Sequence, residues 1–161
     1  MYTKILVPLD GSVLAERAIP HAVEIARGSG AEMIFIQVVQ APLGKIPEAG
    51  TTEEVKSVLE IAAQARAYLN LIAARVSKEG VKVRVEVLEG SADSAILGFA
   101  HNEDVDILVM STHGRTGLSK ALMGSVAEKV MLTTKRPVML VKPEKIHAER
   151  IEEADVFLSA H

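Results

Sequence analysis

Cysteine is absent from this chain. That excludes a disulfide scaffold, a thiolate zinc site and a cysteine nucleophile, and leaves the redox compartment open. Tryptophan is absent too, and three Phe and two Tyr are the whole aromatic complement, too few to stack the bases of single-stranded nucleic acid. Charge of neither sign predominates: the formal net charge is −3 and the pI about 6.0, so no general affinity for nucleic acid or an anionic membrane is expected. No apolar run reaches the roughly 18 residues that suggest a membrane-spanning helix. Met1-Tyr2-Thr3-Lys4 leads straight into a strand-like run without an apolar signal region, so the expected location is the cytoplasm. His21, His101, His113, His147 and His161 show no H-x3-H spacing, and an intrinsic zinc site is not expected.

What is present is a regular alternation. Short runs rich in Val, Ile and Leu at residues 4–9, 33–39, 81–88, 106–110 and 138–142 read as strands. Most are apolar at successive positions, as in strands covered on both faces. Residues 81–87 alternate instead and are expected half-exposed at a sheet edge. Helical patterns lie between them at about residues 12–28, 51–78 and 91–102, and again from Ser125 to Thr134. Thr51–Glu54 and Ser125–Glu128 read as capping boxes. Strands alternating with helices indicate an α/β fold with a mostly parallel, doubly wound sheet, helices on both faces. Residues 41–50 read as a long loop, and 144–161 as a tail bearing Ile146, Ile151, Val156, Phe157 and Leu158.

Two polar clusters stand at strand carboxyl ends: Asp10-Gly11-Ser12 after the first strand and Ser111-Thr112-His113-Gly114-Arg115-Thr116-Gly117 after the fourth. A strand order of 3-2-1-4-5 makes those strands neighbours, with the order reversing between them, and both clusters then line one crevice. Glycines between a strand and a helix start let backbone N–H groups approach an anion, and Gly124-Ser125 opens the next helix. No G-x-G-x-x-G follows the first strand and no G-x-x-x-x-G-K-[ST] occurs, so neither a dinucleotide fingerprint nor a P-loop is supported. Individual side chains carry two readings each. Asp10 caps the next helix, meets a ligand, or does both; Arg115 reaches a phosphate or is solvated; His113 is a catalytic base or packs in the turn.

The segments Met110 to Ser119, Met123-Gly124-Ser125-Val126-Ala127-Glu128-Lys129-Val130 and Arg136-Pro137-Val138-Met139-Leu140-Val141 resemble the universal stress protein family. So does Ile5-Leu6-Val7-Pro8-Leu9-Asp10-Gly11-Ser12. The likeness spans residues 1–143, read as one nucleotide-binding domain, and leaves 144–161 as a candidate dimer arm; it implies a Rossmann-like five-stranded parallel sheet in the order 3-2-1-4-5. The ATP-binding branch of that family carries G-x2-G-x9-G-[ST]. Here nine residues separate Gly114 from Gly124-Ser125, while Ser111 replaces the first glycine. The resemblance implies that Asp10, beside Leu9, meets the ribose or the metal-bound phosphates, with Mg or Mn arriving on ATP. It implies that Val38 pairs with adenine through its backbone and that Pro8 and Met110 wall the base. Gly114, Gly124, Ser125 and Val126 would hold phosphates, next to Ser111, Arg115 and Gly117.

The last strand, Val138, Met139, Leu140 and Val141, is expected at a sheet edge, an association hazard that pairing across a two-fold would cover. The resemblance likewise implies a homodimer through it. The reading that follows is an ATP-binding sensor or regulator of a stress response, with AMP or a cyclic nucleotide as alternative ligands and an unidentified regulatory partner. A slow ATPase or phosphotransferase using Asp10 or His113 is the rival, disfavoured because no strong general base is evident beside the phosphates. A nucleotide-free interaction module is a third reading, against which the intact Gly114–Ser125 spacing argues.

Overall fold

The structure is a computed structural model that describes residues 1–40, 52–114 and 123–142. In chain order the elements are β1 (Lys4–Leu9), α1 (Val13–Glu16), α2 (Ala18–Ser29), β2 (Glu32–Val39), α3 (Thr52–Ser77), β3 (Val83–Glu89), α4 (Ala92–Asn102), β4 (Ile107–Ser111), α5 (Ser125–Thr133) and β5 (Val138–Val141). The strands form one five-stranded parallel sheet in the order β3-β2-β1-β4-β5, the expected doubly wound topology. The loop at 41–50, the Thr51–Glu54 capping box, Arg115, Gly117 and the tail at 144–161 lie outside the described residues. Among the described residues no helix is long and apolar enough to cross a membrane.

Covering on both faces explains the continuous apolar runs. Ile5, Val7 and Leu9 of β1 pack with Met33 and Phe35 of β2 beneath α2 and the Leu69, Ile72 and Val76 stripe of α3. Leu6, Ile34, Ile36, Leu108 and Met110 pack on the other face against Ile96 of α4 and Val130 of α5. Full burial of a side chain such as Phe35 or Leu69 contributes about 1.5–3 kcal/mol, so the central strands anchor the fold. β3 is an edge strand as expected, but six of its seven residues are half-buried rather than alternating. The helix read over 12–28 is in fact two, α1 and α2, meeting at Arg17. Pro20 supplies the reason: it has no N–H for the Glu16 carbonyl and its ring crowds that oxygen.

The Asp106 carboxylate accepts the Thr3 N–H and hydroxyl, both at 2.7 Å, and the Lys4 N–H at 2.9 Å, fastening the start of β1 to β4. Those donors, with the Arg136 charge adding to them, hold its carboxyl below the usual carboxylate range. Glu16 of α1 accepts the Tyr68 hydroxyl and an Arg75 N–H, each at 3.1 Å, and so joins α1 to α3.

Candidate functional site

β1 and β4 are neighbours at the centre of the sheet, where the order reverses, and the chain leaves both as a polar turn. After β1, Asp10 Oδ1 accepts the Ser12 N–H at 2.9 Å and the Ser12 hydroxyl at 2.5 Å. Ser12 Oγ in turn accepts the Ala15 N–H at 3.1 Å and caps α1. Gly11, at φ 83°, adopts the left-handed backbone that this turn requires. After β4, Ser111 Oγ accepts the His113 N–H at 3.3 Å, folding the turn back on itself. The Thr112 N–H donates to the Val141 carbonyl at 2.9 Å, and Ser111 pairs with Val141 in the β4–β5 register.

The glycines are where these turns close on each other. A β-carbon on Gly114 would collide with Asp10 Oδ2, so this glycine leaves the space that the carboxylate fills. A β-carbon on Gly124 would stand 3.0 Å from the Thr112 carbonyl oxygen, which already accepts the Gly124 N–H at 2.7 Å. Gly124, not Ser125, is the N-cap of α5, with no side-chain acceptor. The capping-box reading of Ser125 is therefore displaced by one residue, because the close approach to Thr112 fixes where the helix begins. With the Gly124 N–H engaged, the donors left at this helix start are the amides of Ser125, Val126 and Ala127, which have no intrahelical acceptor.

These groups surround a cavity of about 340 Å³, at the lower end of the roughly 300–1,000 Å³ of small-molecule sites. One wall is apolar, built by Pro8, Ile36, Val38, Ile96 and Met110. The cavity's polar lining comes from Asp10, Ser111, Gly114 and the start of α5. α4 also begins at this cavity with Ala92, but its first turn has an anion of its own. The Asp93 carboxylate there is held below the usual carboxylate range, first by the Lys129 ammonium of α5 and then by the Ser94 N–H and the Ser91 hydroxyl. Among the described residues no side chain caps the start of α5, and free amides at a helix start suit an anion.

The universal stress protein family profile matches residues 1–142. The chain belongs to the universal stress protein family. It is 37% identical over 146 residues to universal stress protein MJ0531 of Methanocaldococcus jannaschii, covering 90% of this chain and 85% of that protein. To MJ0577 of the same organism it is 30% identical over 155 residues, 88% of this chain and 96% of the other. The solved structure of MJ0577 superposes with a TM-score of 0.78 over 90% of this chain and 99% of that one. Two more distant structures share the fold. One is a universal stress protein in complex with cAMP, at 23% identity and TM-score 0.59 over 89% of this chain and 98% of that one. The other, from Archaeoglobus fulgidus in complex with dAMP, has 24% identity and TM-score 0.59 over 88% and 98%.

In this universal stress protein the cavity is lined by Pro8, Leu9 and Asp10 of the first turn and by Val38 of β2. Met110, Ser111 and Gly114 line it from β4, and Gly124, Ser125 and Val126 from α5. Every described residue that the sequence nominated is thus brought to one place. Sequence reasoning missed Ala15, Ile36, Gln40, Ala92, Ile96 and Ala127, which also line it. Gln40 follows β2 at the carboxyl end of the sheet, a position that the strand-end rule does flag. Ile96 carried no signal, because a helical apolar residue facing a cavity has the same periodicity as one facing a core.

Proposed function

We propose that this universal stress protein binds an adenine nucleotide, ATP in the first place, and works in the cytoplasm as a homodimeric, nucleotide-dependent sensor or regulator in a stress response. The observation that carries this reading is the closure of Gly114 on Asp10 beside the start of α5, which no described side chain caps, in a cavity with a partly apolar lining. The wall at Val38 and Met110 suits a base. The Asp10 carboxylate, an acceptor, suits ribose hydroxyls or a magnesium or manganese ion carried by the phosphates. The α5 amides and the Ser125 hydroxyl suit the phosphates. The cAMP and dAMP held by the two distant family structures keep AMP and cyclic nucleotides as alternative ligands.

Binding rather than rapid turnover is the favoured mode. Of the described side chains that line the cavity, Asp10 and His113 are the ones whose chemistry could serve proton transfer. Asp10 Oδ1 is engaged by Ser12, and His113 Nδ1 by the Thr112 hydroxyl. His113 Nε2 has no partner among the described residues, so slow hydrolysis through His113 is the second reading. Hydrolysis, if present, is expected to be slow.

The test is to purify the protein, denature it and chromatograph the released small molecules. Co-purified adenine nucleotide is the expected result. Its absence, together with no calorimetric response to MgATP, contradicts the reading.

A further inference from the structure

His113 presents a polar atom that no described residue satisfies. The residue lines the cavity at the carboxyl end of β4. Its Nδ1 lies 2.9 Å from Thr112 Oγ1, while its Nε2 is buried without a hydrogen-bond partner. Such an orphan is costly, and it calls for a specific explanation.

The Thr112 hydroxyl constrains the ring. Besides His113 Nδ1, Thr112 Oγ1 has the Val141 carbonyl oxygen at 3.4 Å, to which it can only donate. A hydroxyl has one proton, so both contacts are kept only when Nδ1–H donates to Oγ1 and the hydroxyl proton goes to Val141. A neutral ring held this way carries a bare lone pair on Nε2. The Cα of His113 lies 3.8 Å from where a β-carbon of Gly124 would stand, so the residue is rooted against the start of α5. Three amides and the positive end of the helix dipole favour an anion there. A lone pair facing a phosphate repels it; a second proton on Nε2 converts the repulsion into a charge-assisted bond.

We infer that His113 is a phosphate-binding group of this cavity that takes up a proton as a nucleotide arrives, so that affinity for the phosphorylated ligand rises as pH falls through the histidine range. The inference rests on the nucleotide reading above. Titratable groups on the surrounding elements are Asp10 after β1, Glu16 of α1, Asp93 of α4, Glu128 and Lys129 of α5 and Lys142 after β5. Glu16 is paired with Arg75, and Asp93 with Lys129. Asp10 lines the cavity with His113.

The test is calorimetry of the full chain with MgATP, and with adenosine as a phosphate-free probe, in buffers of different ionisation heat at about pH 6 and about pH 8. The variants are His113→Gln, which keeps a neutral donor of similar reach, and His113→Ala. The ATP phosphate itself titrates near pH 6 with the opposite sign, so the comparison is between proteins. Wild type is expected to take up more proton than His113→Gln on binding MgATP. His113→Ala is expected to bind MgATP about tenfold or more weakly at the lower pH, with the gap narrowing at the higher. Adenosine affinity is expected to stay within about twofold in both variants, since the lost bond is to phosphate. Equal proton uptake in wild type and His113→Gln overturns the inference, as does a loss of adenosine affinity that matches the loss for MgATP. If His113→Ala melts early without ligand, His113→Gln alone decides. A wild type silent to MgATP and to adenosine contradicts the nucleotide reading itself and this inference with it.

Discussion

The carboxylate of Asp10 occupies the space that a side chain on Gly114 would fill, so the turns after β1 and β4 fit together only because residue 114 has no β-carbon. Asp10 cannot simply swing aside, since Ser12 holds its Oδ1 through both N–H and hydroxyl. Gly114→Ala is expected to cost about 1–3 kcal/mol, the usual price of overpacking, and to weaken nucleotide binding. Asp10→Ala in the same background is expected to restore stability but not binding. Urea unfolding and calorimetry on the two variants check this; a Gly114→Ala protein as stable as wild type contradicts the packing.

Asp106 gives a pH signature. Its folded carboxyl titrates below its unfolded value of about 3.9. A depressed folded pKa contributes stability that is present above the unfolded value and is lost as pH falls through the folded one. Asp106→Ala is expected to cost about 1–3 kcal/mol near neutral pH, toward the lower figure because solvent screens the site. The deficit is expected to shrink below about pH 4. Denaturation series across pH read it directly, and a deficit independent of pH contradicts the charge-based account.

Tyr68 gives the opposite sign at the alkaline end. Burial, the Glu16 carboxylate and, more weakly, Asp10 push its phenol well above the ordinary value of about 10. A raised folded pKa contributes stability that is complete below the unfolded value and is lost as pH rises toward the folded one. With two tyrosines and no tryptophan in the chain, an ultraviolet titration is expected to show one phenol that ionises late or only on unfolding. Tyr68→Phe is expected to remove that phase and to flatten the alkaline loss of stability. Two phenols that both ionise near pH 10 contradict the burial of Tyr68 against Glu16.

Much of the fold was legible because burial on both faces writes itself into successive apolar residues. β1 occupies the residues at which the apolar run stands, and the order of the strands, implied by the family resemblance, brings the two polar turns together. What was not legible depended on contacts between distant segments. Ser125 looks like an N-cap by its chemistry, yet Gly124, bonded to Thr112, is the cap and Ser125 is the first helical residue. Pro20 divides the first helical stretch through a clash with its own backbone, a signal that was present but overridden by the apolar period. At the site, Asp10 and the glycines announced themselves by residue type, whereas Ala92 and Ile96 are ordinary helix residues that only the packing of α4 turns toward the cavity.

β5 bears on the proposed dimer. It is an edge strand of four residues, and Met139, at its middle, is 37% exposed. Leu132 of α5, 74% exposed, adds to the apolar surface of this part of the chain. Met139→Lys places a charge on the edge, a device that blocks strand-to-strand association. Light scattering is expected to report a dimer for wild type and a monomer for the variant, with unchanged secondary structure. A variant that stays dimeric puts the interface elsewhere.

The central claim is that an anion is held where β4 turns into α5. The most direct measurement is calorimetric titration of wild type and Gly124→Val with MgATP. The β-carbon added at Gly124 would press on the Thr112 carbonyl from 3.0 Å and part the two segments. Saturable binding by wild type, and binding at least about tenfold weaker in a variant that still folds, is the predicted result. Equal affinity in the two proteins would place the phosphates away from this helix start and contradict the account.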